Sequence, residues 1–370
     1  MFRNLSTYYK SENLPSELLK VSPFHSRELF ILYEQSPGYT PLMITVWEGN
    51  LLLGQMLAVF RASWRPFPPF YIRRCEIYGV GDYLSYDKYL LLKKEKGDIK
   101  NESANPLDIV YPDDIAKLNA LSITSERKLW DWKSILHEEL LACLTKEADK
   151  RCFLIECRNI PEGLFGYGAF KKNNFFAINW LKIICDFSIY NLDQMMYPIR
   201  KRAIGRAKAM GVKIVSITSS EQIEEVASLM KRQFSTRVLK HLPSKPFLYQ
   251  FYQELVLKGF GQIYLIYHKK LLIGTSLSIF WGEDAYLWFS TGSSAVNPLF
   301  YPQSVAVYAA IQDAIKRDYQ TLEMLGTGRS FYYHQYTSLL RSFGGTQKSS
   351  RRWFRYNWSW LNRILHFIYD

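Results

Sequence analysis

The chain has 370 residues, enough for two domains with cores of their own, and its 48% hydrophobic and 22% charged residues are globular values that exclude disorder. A formal net charge of +13 favours an anionic partner: nucleic acid, anionic lipid or a phosphorylated substrate. Five cysteines without a CxxC pair and six scattered histidines without an HxxxH pair exclude a disulfide framework and a zinc site, and they fit a reducing compartment.

The first twenty residues, MFRNLSTYYKSENLPSELLK, are polar and lack the apolar core of a signal segment. No apolar run approaches the ~20 residues that span a bilayer. The expected location is therefore cytoplasmic. Residues 1–40 read as an opening strand and helix closed by Ser36-Pro37-Gly38. Residues 46–60, VWEGNLLLGQMLAVF, alternate as a β-hairpin, and a strand follows at 76–80. Residues 87–128 carry the charge run Lys93-Lys94-Glu95-Lys96 and read as an exposed insertion. A helix over about 129–148, a strand at 152–156 and a buried strand at 175–187 complete a first domain.

Pro198 at a helix start and Gly211 just past its end bracket a basic helix. It carries Arg200, Lys201, Arg202, Arg206 and Lys208, with Ile199, Ala203, Ala207 and Met210 expected as its inward face. A strand at 212–217 follows. Ser219 and Gln222 form a capping box for a helix to about Gln233. The polar, basic stretch 235–242 leads to a helix near 247–258. A second hairpin occupies residues 266–280, IYHKKLLIGTSLSIF. A strand at 285–290, a helix at 304–317 and a strand at 321–325 come next. The last segment, 353–369, mixes arginines with Trp353, Phe354, Trp358, Trp360, Leu361 and Ile364. It reads either as an element packed on the body or as a segment lying on a membrane surface.

The two hairpins are copies. Leu51, Leu52, Gly54, Leu57 and Phe60 meet Leu271, Leu272, Gly274, Leu277 and Phe280 at one constant offset, 274 − 54 = 220. Each hairpin is followed by a strand, a helix and a strand. One order of elements written twice predicts two domains of one fold. The boundaries are 1–190 with the insertion at 87–128, then 191–350, then a basic aromatic tail over 351–370.

Hairpin, strand, helix, strand is the order of the GNAT acyltransferase core. Two such domains joined by a basic helix make the chain resemble the FemABX family and the wider FemAB-related acyltransferases. Four places carry the resemblance. IRKRAIGRAKAMGVKI (199–214) resembles the inter-domain helix and strand. Ser235-Thr236-Arg237 resembles a Thr-x-Arg signature. AYLWFSTGSS (285–294) resembles strand four of the fold. TLEMLG (321–326) with LLRSFGG (339–345) resembles an acidic strand and an FK-x-x-FG signature. The resemblance implies an α+β fold, two GNAT-like domains in tandem, each a mixed, mostly antiparallel sheet flanked by helices. It implies transfer of an acyl or aminoacyl group to an amine of a cell-envelope precursor: a peptidoglycan peptide, an amino sugar or a lipid-linked glycan. The donor would be aminoacyl-tRNA or acyl-CoA, with no tightly bound cofactor and no metal. The expected partners are tRNA, CoA or a nucleotide- or lipid-linked precursor, with contact at the inner face of the membrane.

The sequence departs from the family at two points. The lysine of FK-x-x-FG falls on Leu340; Arg341 is beside it, but 340–341 read as a strand, on which a neighbouring residue points to the other face, and the aromatic four residues after the signature arginine falls on His241. The glycine-rich loop that cradles CoA phosphates is missing from SSAVNPLFYP (293–302). Acyl transfer needs a neutral amine, a polarised carbonyl and held anions. For the base, the candidates are Glu323 and His334, each with a packed or ion-paired alternative. For the carbonyl, the candidate is strand four around Gly292. For anions, they are Ser235, Arg237, His241, Arg329 and Arg341, each with an ordinary loop or turn as its alternative. Tyr286 and Trp288, two apart on a strand, share a face and either stack on a sugar or pack in the core. The basic helix is expected to wall an anion site in the second domain. Two other readings remain at this point: an acyl-CoA transferase with an atypical loop, and a non-catalytic RNA- or membrane-binding protein on the same fold.

Overall fold

A computed structural model describes residues 3–67, 70–95, 115–158, 165–188, 192–235, 242–293, 295–330 and 335–369. The first half runs β1 (Asn4–Tyr8), α1 (Arg27–Glu34), β2 (Tyr39–Glu48), β3 (Leu51–Phe67), β4 (Phe70–Tyr78), β5 (Asp82–Tyr83), α2 (Tyr86–Glu95), α3 (Ile115–Asp149), β6 (Leu154–Arg158), α4 (Tyr167–Lys172) and β7 (Phe176–Asp186). The second runs α5 (Leu192–Met195), α6 (Pro198–Ala209), β8 (Val212–Ser216), α7 (Gln222–Gln233), α8 (Lys245–Phe251), β9 (Gly261–His268), β10 (Leu271–Trp281), β11 (Asp284–Gly292), α9 (Pro302–Lys316), β12 (Thr321–Met324), α10 (Gln335–Arg341), β13 (Thr346–Tyr356) and α11 (Ser359–Tyr369). The expected insertion at 87–128 begins as α2 and ends inside the long α3; residues 96–114 lie outside the described residues.

The repeat extends to the backbone. Val46 pairs with Gly54 and Trp47 with Leu52, so Leu53 is bulged out of the ladder. Ile266 pairs with Gly274 and Tyr267 with Leu272, so Ile273 is bulged out of its own. The two bulges are 220 residues apart, as the sequences are. Both extra side chains are fully buried, which fixes the register of each hairpin. The following strands pair alike: β3 with β4 and β10 with β11 antiparallel, then β4 with β6 and β11 with β12 parallel.

One sheet joins the halves, in the order β1-β2-β3-β4-β6-β13-β7-β12-β11-β10-β9-β8, with β5 on β3. The last strand of each half has crossed over. β13 lies beside β6, and β7 lies beside β12, with β13 and β7 paired between them. The sheet is also strongly curled. Tyr78 on β4 and Trp288 on β11 are five strand spacings apart, about 24 Å on a flat sheet, yet their ring centroids are 6.4 Å apart. Phe24 stacks on Tyr78 and meets Tyr286 edge-on, which closes the same mouth.

Alternation along each strand sorts the side chains onto two faces. On the convex face, Ile183, Cys185, Leu287, Leu322 and Met324 pack under α6 and α9. In the first half, Cys75, Ile77, Ile155, Cys157 and Trp353 pack under α3 and α4. A third core joins α1, α7 and α8 to β3 and β10 and so spans both halves. The concave face of the central strands is left open.

Two local expectations are corrected. On α6, Ala203 and Ala207 do face inward, but Ile199 is 65% exposed and Arg200 takes the inward place. The cause is polar: Arg200 Nε donates to Ser342 Oγ at 2.8 Å, Nη1 donates to Ser304 Oγ, and the guanidinium lies against the Phe343 ring. Residues 340–341 lie on helix α10, not a strand; Leu340 is fully buried while Arg341 is exposed.

Gly292 packs against the first turn of α9, where a Cβ would stand 2.3 Å from Gln303 N. Gly292→Ala should destabilise by about 3 kcal/mol, an overpacking cost that displaces the helix start. Gly205, exposed inside α6 with open space around it, should gain about 0.5–1 kcal/mol as Gly205→Ala. Denaturant unfolding of the two variants checks both signs.

Candidate active site

The concave face carries an open groove with two cavities. The larger, about 700 Å³, is bounded by β7, β11, β12 and β13 and by the segments at Val21–His25 and Gly79–Tyr83. The smaller, about 180 Å³, lies where β11 and β12 end. Lys182 and Glu323 line both. They form an ion pair, Nζ to Oε2 at 2.6 Å, with both side chains nearly buried. The pair arises because Glu323 faces Ile184 in the antiparallel register, which puts Lys182 on the diagonal of the same face.

The two cavities differ in charge. The larger is lined by Asp82, Asp186, Asp284 and Glu323 against Lys133, Lys182 and Lys348. The smaller is lined by Arg158, Arg352 and Lys182 against Glu323, with Trp180 and Trp288 as aromatic walls. Behind Arg158 lies a buried ionic cluster of four arginines and two glutamates. Glu76 is paired with Arg61, Arg74 and Arg158, and Glu156 with Arg74, Arg158 and Arg352. Burial and the like charge of Arg158 pull the Arg352 pKa down to about 10. Burial alone would raise Glu156; Arg158, Arg352 and Arg74 overcome it and hold the carboxyl below its ordinary range. Arg61 Nη2, Arg74 Nε and Arg158 Nε are buried without a hydrogen-bond partner among the described residues. Two surplus positive charges and three orphan donors make this end suited to an anion.

Between the cavities the strands part. The last β11–β12 ladder pair is Leu287 with Met324, after which Leu325 N donates to the Leu287 carbonyl at 3.0 Å. On its other side β11 is bulged at Trp288, since Leu277 pairs with Phe289 and Ser278 with Leu287. Beyond that point β11 and β12 no longer pair, and the bulge bends β11 at the same place.

Residues 199–334 match the acetyltransferase (GNAT) domain family. The second half thus carries a domain of the GNAT fold, and the first half repeats its order of strands and helices. It superposes on the crystal structure of FemX with a TM-score of 0.53 at 12% identity, covering 94% of each chain. A tandem GNAT protein from the clavulanic acid biosynthesis pathway gives 0.49 at 11% identity, over 96% of this chain and 99% of that one. L-PGS from Bacillus licheniformis gives 0.48 at 9%, over 92% and 91%. No curated protein matches the chain by sequence.

Against this GNAT frame the predicted residues fall as follows. Glu323, Tyr286 and Trp288 come together on the groove face. Tyr286 is nearly buried and donates to Asp284 Oδ2 at 3.3 Å; Trp288 meets Tyr78, Phe247 and Phe251 edge-on. Gly292 is corrected: its close approach is to the start of α9, not to open groove. That start has Pro302 in its first turn and Ser304 bonded to Arg200, in place of a glycine-rich phosphate loop. α6 lies on the convex face and walls no part of the groove. The turn before Arg329 is tied down on β7: Leu181 N donates to the Gly328 carbonyl at 3.0 Å, and Arg329 bridges Trp180. Arg341 lies exposed at the end of α10, and Ser235 is exposed past the end of α7. Arg237, His241 and His334 lie outside the described residues. Among the described residues no group of three or more His, Cys, Asp or Glu side chains is placed to hold a metal.

The sequence reading missed Lys182, Arg158, Arg352 and Asp82. A signal was present: Arg74 and Glu76 in RRCEIY, and Glu156 and Arg158 in IECR, stand two apart in otherwise apolar strands, and WLKIICD puts Lys182 and Asp186 on one face four apart. Asp82 sits beneath the 21–25 segment. Its Oδ2 accepts from Ser22 N at 3.2 Å, and its Oδ1 is buried without a partner among the described residues. Burial pushes its pKa up to about 7. The unfolded value is about 3.9, so between about pH 4 and 7 the folded state keeps a proton that the unfolded state has lost. Stability from this group therefore falls as pH rises through that window. Burial acts oppositely on His25 and His137, pulling their pKa values down to about 3 and 4. The readable quantity is thus a difference. Asp82→Asn should gain stability over the parent as pH rises from 4 to 7, by up to about 4 kcal/mol, and then level off; unfolding curves across that range test it.

Proposed function

We propose that this groove is the active centre of an N-acyltransferase whose acceptor is an amine on an anionic cell-envelope precursor. The observation that carries the reading is the Lys182–Glu323 pair, placed where β11 parts from β12 and between an acid-lined and an arginine-lined cavity. An acceptor with an amine at one end and a phosphate or carboxylate at the other matches that polarity. In this reading the arginine end, through Arg158 and Arg352, holds the anion. Trp180 and Trp288 hold the sugar or peptide between. Leu242 and Pro243, just before α8, close the same end of the smaller cavity.

The chemistry balances as an acyl transfer. Glu323 takes a proton from the bound ammonium. The freed amine lone pair forms the new C–N bond, and backbone N–H groups of β11 beyond Leu287 receive the developing oxyanion. Collapse breaks the bond from the carbonyl carbon to the donor oxygen or sulfur. Glu323 has by then released its first proton to solvent; it takes a second from the now cationic nitrogen and passes it to the leaving group, which leaves a neutral amide and a protonated leaving group. A donor that does not rely on a phosphate loop, such as aminoacyl-tRNA, suits the closed start of α9. Acyl-CoA is the second reading, favoured by the acetyltransferase domain match over 199–334.

Donor titration with acyl-CoAs and with charged and uncharged tRNA separates the two readings, since each predicts saturable binding of one donor only. With the active donor in hand, Glu323→Gln should lower kcat by about 100-fold or more with little change in KM. Arg352→Ala should raise the acceptor KM about tenfold or more and leave kcat nearly unchanged. Full turnover in Glu323→Gln would remove the carboxylate from the mechanism.

A further inference from the structure

The C-terminal helix α11 has no place in the acyl-transfer scheme, yet it is the most apolar exposed element among the described residues. One side is firmly docked. Asn362 is buried, donating Nδ2 to the Asn174 carbonyl at 2.6 Å and accepting at Oδ1 from Tyr356 N at 3.1 Å. His366 and Tyr369 pack on the Phe176 ring at 5.8 and 5.6 Å. The opposite side faces outward with Trp360, Ile364 and Ile368 at least half exposed and Phe367 92% exposed. Trp358, just before the helix, is 55% exposed and stacks on Trp360 at 5.9 Å. Scattered apolar residues are ordinary on a surface; five large ones on one turn-and-helix are not.

The charge around this face says what covers it. Residues 351–369, the end of β13 and α11 itself, contain no Asp or Glu and carry four arginines. Arg355 is held by Asp149 and Arg352 by Glu156, whereas Arg363 stands exposed on the outward side of α11 itself. A second copy of the chain would bring the same positive charge to this face and be repelled. A bilayer with anionic headgroups is complementary on both counts, and a tryptophan pair beside long aliphatic and phenyl side chains is suited to the interface. No helix among the described residues is long and apolar enough to cross a membrane. Contact would therefore be along the surface.

We propose that α11 is an interfacial membrane anchor, lying on an anionic bilayer through Trp358, Trp360, Ile364, Phe367 and Ile368 with Arg363 at the headgroups. The placement has a geometric consequence. α11 packs on Phe176, and Phe176, Trp180 and Lys182 lie on one face of β7. The anchor thus sits on the face that bears the groove, at the arginine end. The proposal does not depend on the acyl-transfer reading.

The test uses the full chain with sedimented vesicles of phosphatidylcholine alone and of phosphatidylcholine mixed equally with phosphatidylglycerol. The intact protein should sediment with the anionic vesicles at least tenfold more than with the neutral ones. Ile364→Glu combined with Phe367→Glu should abolish this while leaving the unfolding transition in place. Ile199→Glu, an equally exposed apolar residue on the convex side, should bind as the parent does. Bromine-labelled lipid should quench tryptophan fluorescence in the parent and not in the double variant. Failure to bind anionic vesicles, or equal binding by the double variant, overturns the proposal. So does light scattering that shows a dimer which the double variant dissolves.

Discussion

The ladder between β13 and β7 is the constraint on which the rest of the structure depends. It joins nine residue pairs, from Thr346–Ile184 to Phe354–Phe176. Because each strand also completes the sheet of the opposite half, the halves cannot separate without breaking backbone hydrogen bonds on both sides. The groove floor is therefore a continuous sheet rather than a cleft between hinged bodies. Lys182 and Arg352 face into it from strands contributed by different halves. A preorganised floor suits electrostatic chemistry, since fixed charges act without reorganising when a substrate arrives.

Duplication followed by divergence explains the charge of the groove. The bulges at Leu53 and Ile273 set the pairing that follows in each half. Ile77 then corresponds to Leu287, Tyr78 to Trp288, and Arg158 to Leu325. The first half has filled the place where its parallel strands part with Arg158 and the ion pairs behind it. The second half has kept apolar and aromatic groups there and left the strands open. Burying four arginines with two glutamates costs desolvation that their pairing only partly offsets. Such a cluster fits an anion-binding role better than a packing role, for which apolar residues would serve at lower cost.

What could be read from the sequence follows its local periodicities. The paired hairpins, the crossover helices and the shared face of Tyr286 and Trp288 depend on neighbours two to four residues apart, and the structure has all of them. The basic helix was legible in extent but not in facing. Nothing within α6 says that Ser304 and Ser342, about a hundred residues or more downstream, would draw Arg200 inward over Ile199. Leu340 was misplaced on a strand because seven residues give too little pattern to tell a short helix from an extended run. The site was half legible. Glu323 stood out by resemblance, but its partner Lys182 depends on a register between strands well over a hundred residues apart. The arginine cluster depends on β13 crossing to β6, and that exchange leaves no local trace.

The crossing of β13 also sets an order in time. A ribosome releases the first half with β6 and β7 already made, but the strand that belongs between them begins only at Thr346. Until then β6 and β7 each carry an unpaired edge, and the nearest available partner is the other one. Direct β6–β7 pairing would close the first half as an ordinary small domain and shut β13 out. The nascent chain thus reaches its functional form only by holding that gap open, or by reopening it, until residue 356 has been added. Any chain that ends before residue 346 lacks the strand that joins its two halves into one groove.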